Sequence, residues 1–247
     1  MTRRLTILAA ALFAIFISQA QILMGWGQSP AEFAADSDAT LRVAGYAFAI
    51  WGVIYLGLLV YAVRQALPDT PESPLRARLG WPSALALIGI GLWIVAAAYD
   101  WEWATIGLIF GSLLVLLVPL LRNAPAIRAL PIRDKERWMT VWPLAMLAGW
   151  LSIASPVNLI TVATGNDWLP EALSPTTWAM GAIGLVALLA MFVTARLRTL
   201  AFAIPVAWGL GGAFVAEQTR NPDLAYAAAG AAVATLVAGA VLVFKRR

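Results

Sequence analysis

Apolar residues gather into long runs along this chain, separated by short polar segments. A run of about 20 mainly apolar residues carries an α-helix through the ~30 Å hydrocarbon core of a bilayer. Eight runs of roughly that kind are read at 5–26, 43–66, 79–98, 103–121, 138–163, 174–195, 199–216 and 225–244, with no acidic or basic residue in their interiors. The expected fold class is therefore an all-α integral membrane protein of about eight transmembrane helices.

The polar segments test that count. Lys and Arg concentrate on the cytoplasmic side of membrane proteins. With the N-terminus inside, 15 of the 17 Lys and Arg fall on the cytoplasmic side and only Arg42 and Arg220 fall outside, whereas 9 of the 13 acidic residues fall outside. Missing or inventing one helix in mid-chain would scramble both distributions. The expectation is a multi-pass protein of the cell (inner) membrane with both termini cytoplasmic. A second reading of the start remains open: Arg3 and Arg4, the following apolar run and Ser18-Gln19-Ala20 also have the order of a signal peptide with its cleavage site. Cleavage would leave seven spans and the same charge sides.

Composition then narrows the chemistry. The chain is 62% hydrophobic and 12% charged, far from the ~25% charge of soluble domains. Its net charge of +4 sits in clusters between apolar runs rather than on a face or stripe, so no nucleic-acid partner is expected. Cysteine and histidine are absent, which removes disulfides, thiolate nucleophiles and the commonest general base and zinc and haem ligands. No metal site and no catalytic residue is assigned.

Two connections divide the chain. The inner segment Arg122 to Arg137 carries two prolines and seven charges, and the outer segment Gly165 to Thr177 sets the last three helices apart. In the seventh run, Pro205 followed by Gly209, Gly211 and Gly212 predicts a kinked or broken helix. Its Ala-Phe-Ala-Ile echoes Ala47 to Ile50, which is either a trace of an inverted repeat or chance in an alanine-rich chain.

Tryptophan carries the most specific signal. Interfacial belts predict similar numbers at both membrane faces. Here three of the 12 lie at the inner interface and eight in the outer half or outer loops, with Trp150 near the midplane. Trp51, Trp93, Trp150 and Trp208 sit deep in their segments, where an indole N–H needs a partner. Candidates are Asn158, Ser152, Ser155 and Thr161 in the fifth run, Gln19 and Gln21 in the first, and Tyr46, Tyr55 and Tyr61 in the second. One reading makes these ordinary interhelical hydrogen bonds. The other makes Trp51, Tyr55, Trp93, Trp150 and Asn158 the wall of an outward-facing, mostly apolar small-molecule pocket, roofed by the loop from Gly27 to Arg42.

The motifs Trp51-x-x-x-Tyr55 and Trp150-x-x-x-Ala154-x-x-x-Asn158, with Pro143 upstream and Trp93 in the third run, resemble the second, fifth and third helices of the TspO/MBR (tryptophan-rich sensory protein or translocator protein) family. The resemblance covers about residues 1–164 and divides the chain into a TspO-like five-helix membrane domain, 1–164, and a three-helix extension, 165–247. It departs from the family in having Pro30 alone in the first loop and Ile90 where the family has asparagine. What the resemblance implies is a tetrapyrrole or sterol-like lipid as ligand, porphyrin or haem included, with a sensory, regulatory or carrier role and no enzymatic one. A transporter or facilitator built on the Pro205 helix is the alternative, as is an accessory subunit of a larger membrane complex or homo-oligomer, for which the small-residue face of the eighth run is suited. Partners are then membrane lipids and a hydrophobic small molecule. As an enzyme the chain offers only Asp100 and Glu102 near the outer mouth, more simply read as a solvated turn.

Overall fold

The computed structural model describes residues 1–68 and 70–244, which are helical and contain no strand. In chain order the helices are α1 (Thr2–Met24), α2 (Pro30–Phe33), α3 (Ile50–Ala66), α4 (Pro74–Ala98), α5 (Glu102–Arg122), α6 (Ala124–Ala129), α7 (Trp142–Gly165), α8 (Pro175–Leu197), α9 (Ala203–Glu217) and α10 (Pro222–Phe244). A 3₁₀ turn, Gly45–Ala49, leads into α3, and a widened π turn, Arg137–Val141, leads into α7. Seven of the helices, the turns into α3 and α7 included, are long and apolar enough to cross a membrane.

Their connections gather at two ends. At the basic end, the Arg4 guanidinium donates to the Leu67 carbonyl (3.4 Å), Arg78 to Asn123 (3.1 Å) and Arg198 to the Leu242 carbonyl (2.6 Å). At the acidic end, Gln28 N–H donates to the Ala98 carbonyl (3.0 Å), Asn166 to Glu102 (2.7 Å) and Asn221 to Thr176 (2.9 Å). The alternation of ends along the chain is the one the charge pattern predicts.

The eighth expected run differs in detail. Helix α9 begins at Ala203 rather than at 199 and has 15 residues, about 22 Å of rise, so it is shorter than a full span although it still links the basic end to the acidic one. Thr199–Phe202 is taken up by a turn in which Ala201 N–H donates to the Thr199 hydroxyl. Nor is α9 broken. Pro205 is its third residue, where an N–H would have no intrahelical partner to lose. Two of its three glycines serve close packing: a Cβ at Gly209 would lie 2.9 Å from Ile153, and one at Gly212 2.8 Å from Ala47, whereas Gly211 faces open space. The broken helix that these residues would allow does not form: α9 runs unbroken from Ala203 to Glu217.

Helix α7 is the hub. Some 78% of its apolar window is buried inside the protein, against 17% for α10, so α10 lies at the periphery while α7 touches α3, α5, α8 and α9. Gly149 brings α7 against the corner before α9, where a Cβ would sit 2.3 Å from the Phe202 carbonyl oxygen. Helices α4, α1 and α5 pack side by side, with Gly91 under the Phe13 ring and Gly89 over the Ser112 hydroxyl.

Candidate functional site

Four helices set the site. Helix α4 contributes Trp93, α7 contributes Trp150 and Asn158, α3 contributes Trp51, and α5 contributes Thr105. Trp93, Asn158 and Thr105 are joined in one buried polar chain: the indole N–H donates to Asn158 Oδ1 (2.9 Å), Asn158 Nδ2 donates to Thr105 Oγ1 (3.0 Å), and Thr105 donates to the Glu102 carbonyl (2.6 Å). It ties α4, α7 and α5 together away from water, where each unpaired group would be costly.

Aromatic rings surround it. Trp150 meets Trp51 edge-on at 6.3 Å and Phe48 at 5.9 Å, and Phe33 from α2 stands edge-on to Trp93 at 6.0 Å, geometries favoured by ring quadrupoles. Two adjoining cavities lie between them. One, about 30 Å³, is lined by Phe33, Phe48, Trp93, Trp150 and Asn158; the other, about 20 Å³, is lined by Trp51, Ile90, Trp93 and Trp150. Each has room for a water molecule or two, well below the ~300–1,000 Å³ of small-molecule sites. Little free space remains in the cleft, and Phe33, 2% exposed, sits in it as a plug.

The sequence-derived residues separate on this geometry. Trp93, Trp150 and Asn158 share the first cavity, and Trp51 joins Trp93 and Trp150 at the second. Tyr55 lines neither. Its ring stacks on Trp51 at 5.0 Å and its hydroxyl is buried without a hydrogen-bond partner, as is the Trp51 indole N–H. Several other candidates find different partners: Trp208 donates to the Ala47 carbonyl (2.8 Å), Tyr61 pairs with Ser83 across α3 and α4 (2.7 Å), and Ser152 and Ser155 bond back to Gly149 and Leu151 of their own helix, while the buried Thr161 hydroxyl has none among the described residues.

The roof is built by local signals. Ser29 and Glu32 form a capping box around Pro30, starting the one-turn helix α2 that delivers Phe33, and the serine's bonds hold the Glu32 carboxyl below its usual range. Farther along, Glu217 accepts from Arg42 N–H (2.9 Å) and from the Arg220 guanidinium (3.1 Å), while the Ser37 hydroxyl donates to the Thr161 carbonyl (2.9 Å). Phe33, Phe48, Thr105 and Glu217 were not singled out from the sequence. The Ser-Pro-Ala-Glu capping box was the available sign of the plug; the Glu217 clamp bridges 175 residues and has no local sign.

Above the plug lies an open acidic cavity of about 390 Å³, lined by Phe33, Asp36, Asp38, Glu102, Thr161 and Asp167 among others. Asp100, in the turn before α5, has its carboxyl raised, first by partial burial and then by the charges of Glu102 and Asp36. Among the described residues no cluster of Asp or Glu has the geometry of a metal site.

A sequence profile of the family described as TSPO-like protein matches residues 3–242. No curated protein and no solved structure matches the chain.

Proposed function

Because the chain belongs to the TSPO-like protein family, we propose that this multi-pass membrane protein binds a hydrophobic small molecule in the aromatic cleft between α3, α4, α5 and α7, with Trp51, Trp93, Trp150 and Asn158 as its walls and Tyr55 as a stacking support behind Trp51. The observation that carries the reading is the Trp93–Asn158 bond, backed by Thr105, in the wall of an otherwise apolar, ring-lined cleft. A few fixed polar groups among apolar walls orient a ligand without asking it to be charged. Binding requires Phe33 to leave the cleft, so the ligand-bound form differs from the closed one at α2.

The mouth selects by charge. Asp36, Asp38, Glu102 and Asp167 line the cavity above Phe33, and like charges there disfavour an approaching carboxylate. A neutral sterol-like lipid is therefore favoured over a tetrapyrrole bearing two free propionates. The role that follows is sensing or carrying rather than catalysis. Trp fluorescence tests it: titration with a sterol and with protoporphyrin IX should give saturable quenching, tighter for the sterol and weakened in Trp51→Ala and Trp150→Ala. Equal quenching in the wild type and both variants would dispose of the cleft as the site.

A further inference from the structure

A second sizeable cavity lies at the opposite end of the molecule from the cleft. It measures about 620 Å³ and opens between α6, the π turn before α7, the corner joining α8 to α9, and the last residues of α10. Arg128, Arg137 and Arg198 line it on one side. Trp138 and Trp142, stacked at 4.6 Å, and Phe244 supply an apolar side.

Arginines at this end of a membrane protein are expected as topology markers with their guanidinium groups in water. Arg137 departs from that pattern, being 8% exposed. Its guanidinium donates to the carbonyls of Ile127 and Leu130 (3.3 Å each) and to the carbonyl of Arg198. Arg198 in turn ends α8 in the left-handed conformation at φ 53, which an L-residue adopts at a cost, and donates to the Leu242 carbonyl. These acceptors are neutral. Among the described residues no carboxylate lies within ion-pair distance of Arg128, Arg137 or Arg198. A largely buried cation with only neutral partners keeps its full charge, and an anion in the adjoining cavity relieves the penalty.

We propose that this cavity holds the phosphate headgroup of an anionic phospholipid, with Arg128, Arg137 and Arg198 around the phosphate and the acyl chains leaving along Trp138 and Phe244. The volume falls in the small-molecule range, and basic pockets between helix ends are suited to such headgroups. The wall of rings distinguishes a lipid from free phosphate, which would gain nothing from it. The assignment is independent of the aromatic cleft.

The test uses the full chain in nanodiscs of phosphatidylcholine with increasing phosphatidylglycerol, and native mass spectrometry to count retained lipid. One phosphatidylglycerol should be retained in preference to phosphatidylcholine. Arg128→Gln and Arg198→Gln should each weaken retention about fivefold, the effect of one basic residue at an anionic surface. Arg128 is exposed and makes no side-chain hydrogen bond among the described residues, so its variant tests the site without removing a bond the fold uses there. Arg122→Gln removes a charge at the same end but outside the cavity and should change nothing. Equal retention of the two lipids, an Arg122→Gln loss as large as that of Arg128→Gln, or full displacement of the lipid by inorganic phosphate would each overturn the assignment.

Discussion

Replacing Asn158 by alanine severs α7 from both α4 and α5 at one stroke. Asn158 is 4% exposed, Trp93 8% and Thr105 not at all, so the partners of the lost amide are shielded from bulk water. Two hydrogen bonds disappear, at 2.9 and 3.0 Å, and interhelical bonds of this kind contribute about 0.6 kcal/mol on average and up to ~1.7 kcal/mol. The Trp93 N–H is then left unpaired, a further ~1–3 kcal/mol. Thr105 is spared that cost because its hydroxyl keeps its own bond to the Glu102 carbonyl. Asn158→Ala should therefore lower unfolding free energy by about 2–4 kcal/mol. Reversible unfolding in mixed detergent micelles measures it, and a double-mutant cycle with Trp93→Phe isolates the shared bond, which should couple by about 0.6–1.7 kcal/mol. A cost below ~0.5 kcal/mol with no coupling would refute the buried polar chain as a structural element.

Phe33→Ala should unplug the cleft, so that ligand association becomes faster in stopped-flow Trp quenching while the ligand-free protein loses up to ~3–5 kcal/mol of stability; unchanged association would mean that Phe33 does not gate the site. Gly149→Ala should destabilise by about 1–3 kcal/mol, since its Cβ would meet the Phe202 carbonyl oxygen at 2.3 Å. An alanine in an open helix position would instead stabilise by up to ~1 kcal/mol, so the sign decides. Asp100 has a folded-state carboxyl raised by partial burial and by Glu102 and Asp36: its ionisation opposes folding above that raised value, and the penalty is relieved as pH falls through it. Asp100→Asn, which also suits the left-handed backbone at φ 57, should raise the thermal midpoint at neutral pH and lose that advantage in acid; a midpoint lowered at pH 7 would reverse the argument.

The helices were legible because the bilayer demands a length of apolar residues that a sequence displays directly, and their alternation of ends because Lys and Arg mark one side. Trp93 and Asn158 were each legible as a deep group in need of a partner, an indole N–H and an amide, but the pool of polar candidates did not say that they would meet each other. Tyr55 was not: four residues from Trp51 it shares the broad helix face, but that face is wide enough for Trp51 to reach a cavity while Tyr55 stays behind it. Phe33 depends on the path of a loop, which hydropathy does not describe. The glycines of α9 illustrate a different ambiguity, because absence of a Cβ permits both bending and close approach, and only Ile153 and Ala47 on the neighbouring segments reveal which is used. Arg137 read as one more topology charge until its burial set it apart from Arg122 and Arg128.

The roof over the cleft is fastened on both sides of its plug. Before α2, Gln28 is bonded to Ala98; after it, Ser37 is bonded to Thr161, Arg42 to Glu217 and Ala44 to Gly212. The stretch carrying Phe33 is tied down on both of its sides, so under the proposed binding reaction a ligand's residence would be governed by how often that stretch lifts between its fastenings. Occupancy would then outlast brief changes in ligand concentration, giving the protein a memory of recent exposure, and loosening Glu217 on α9 would shorten it.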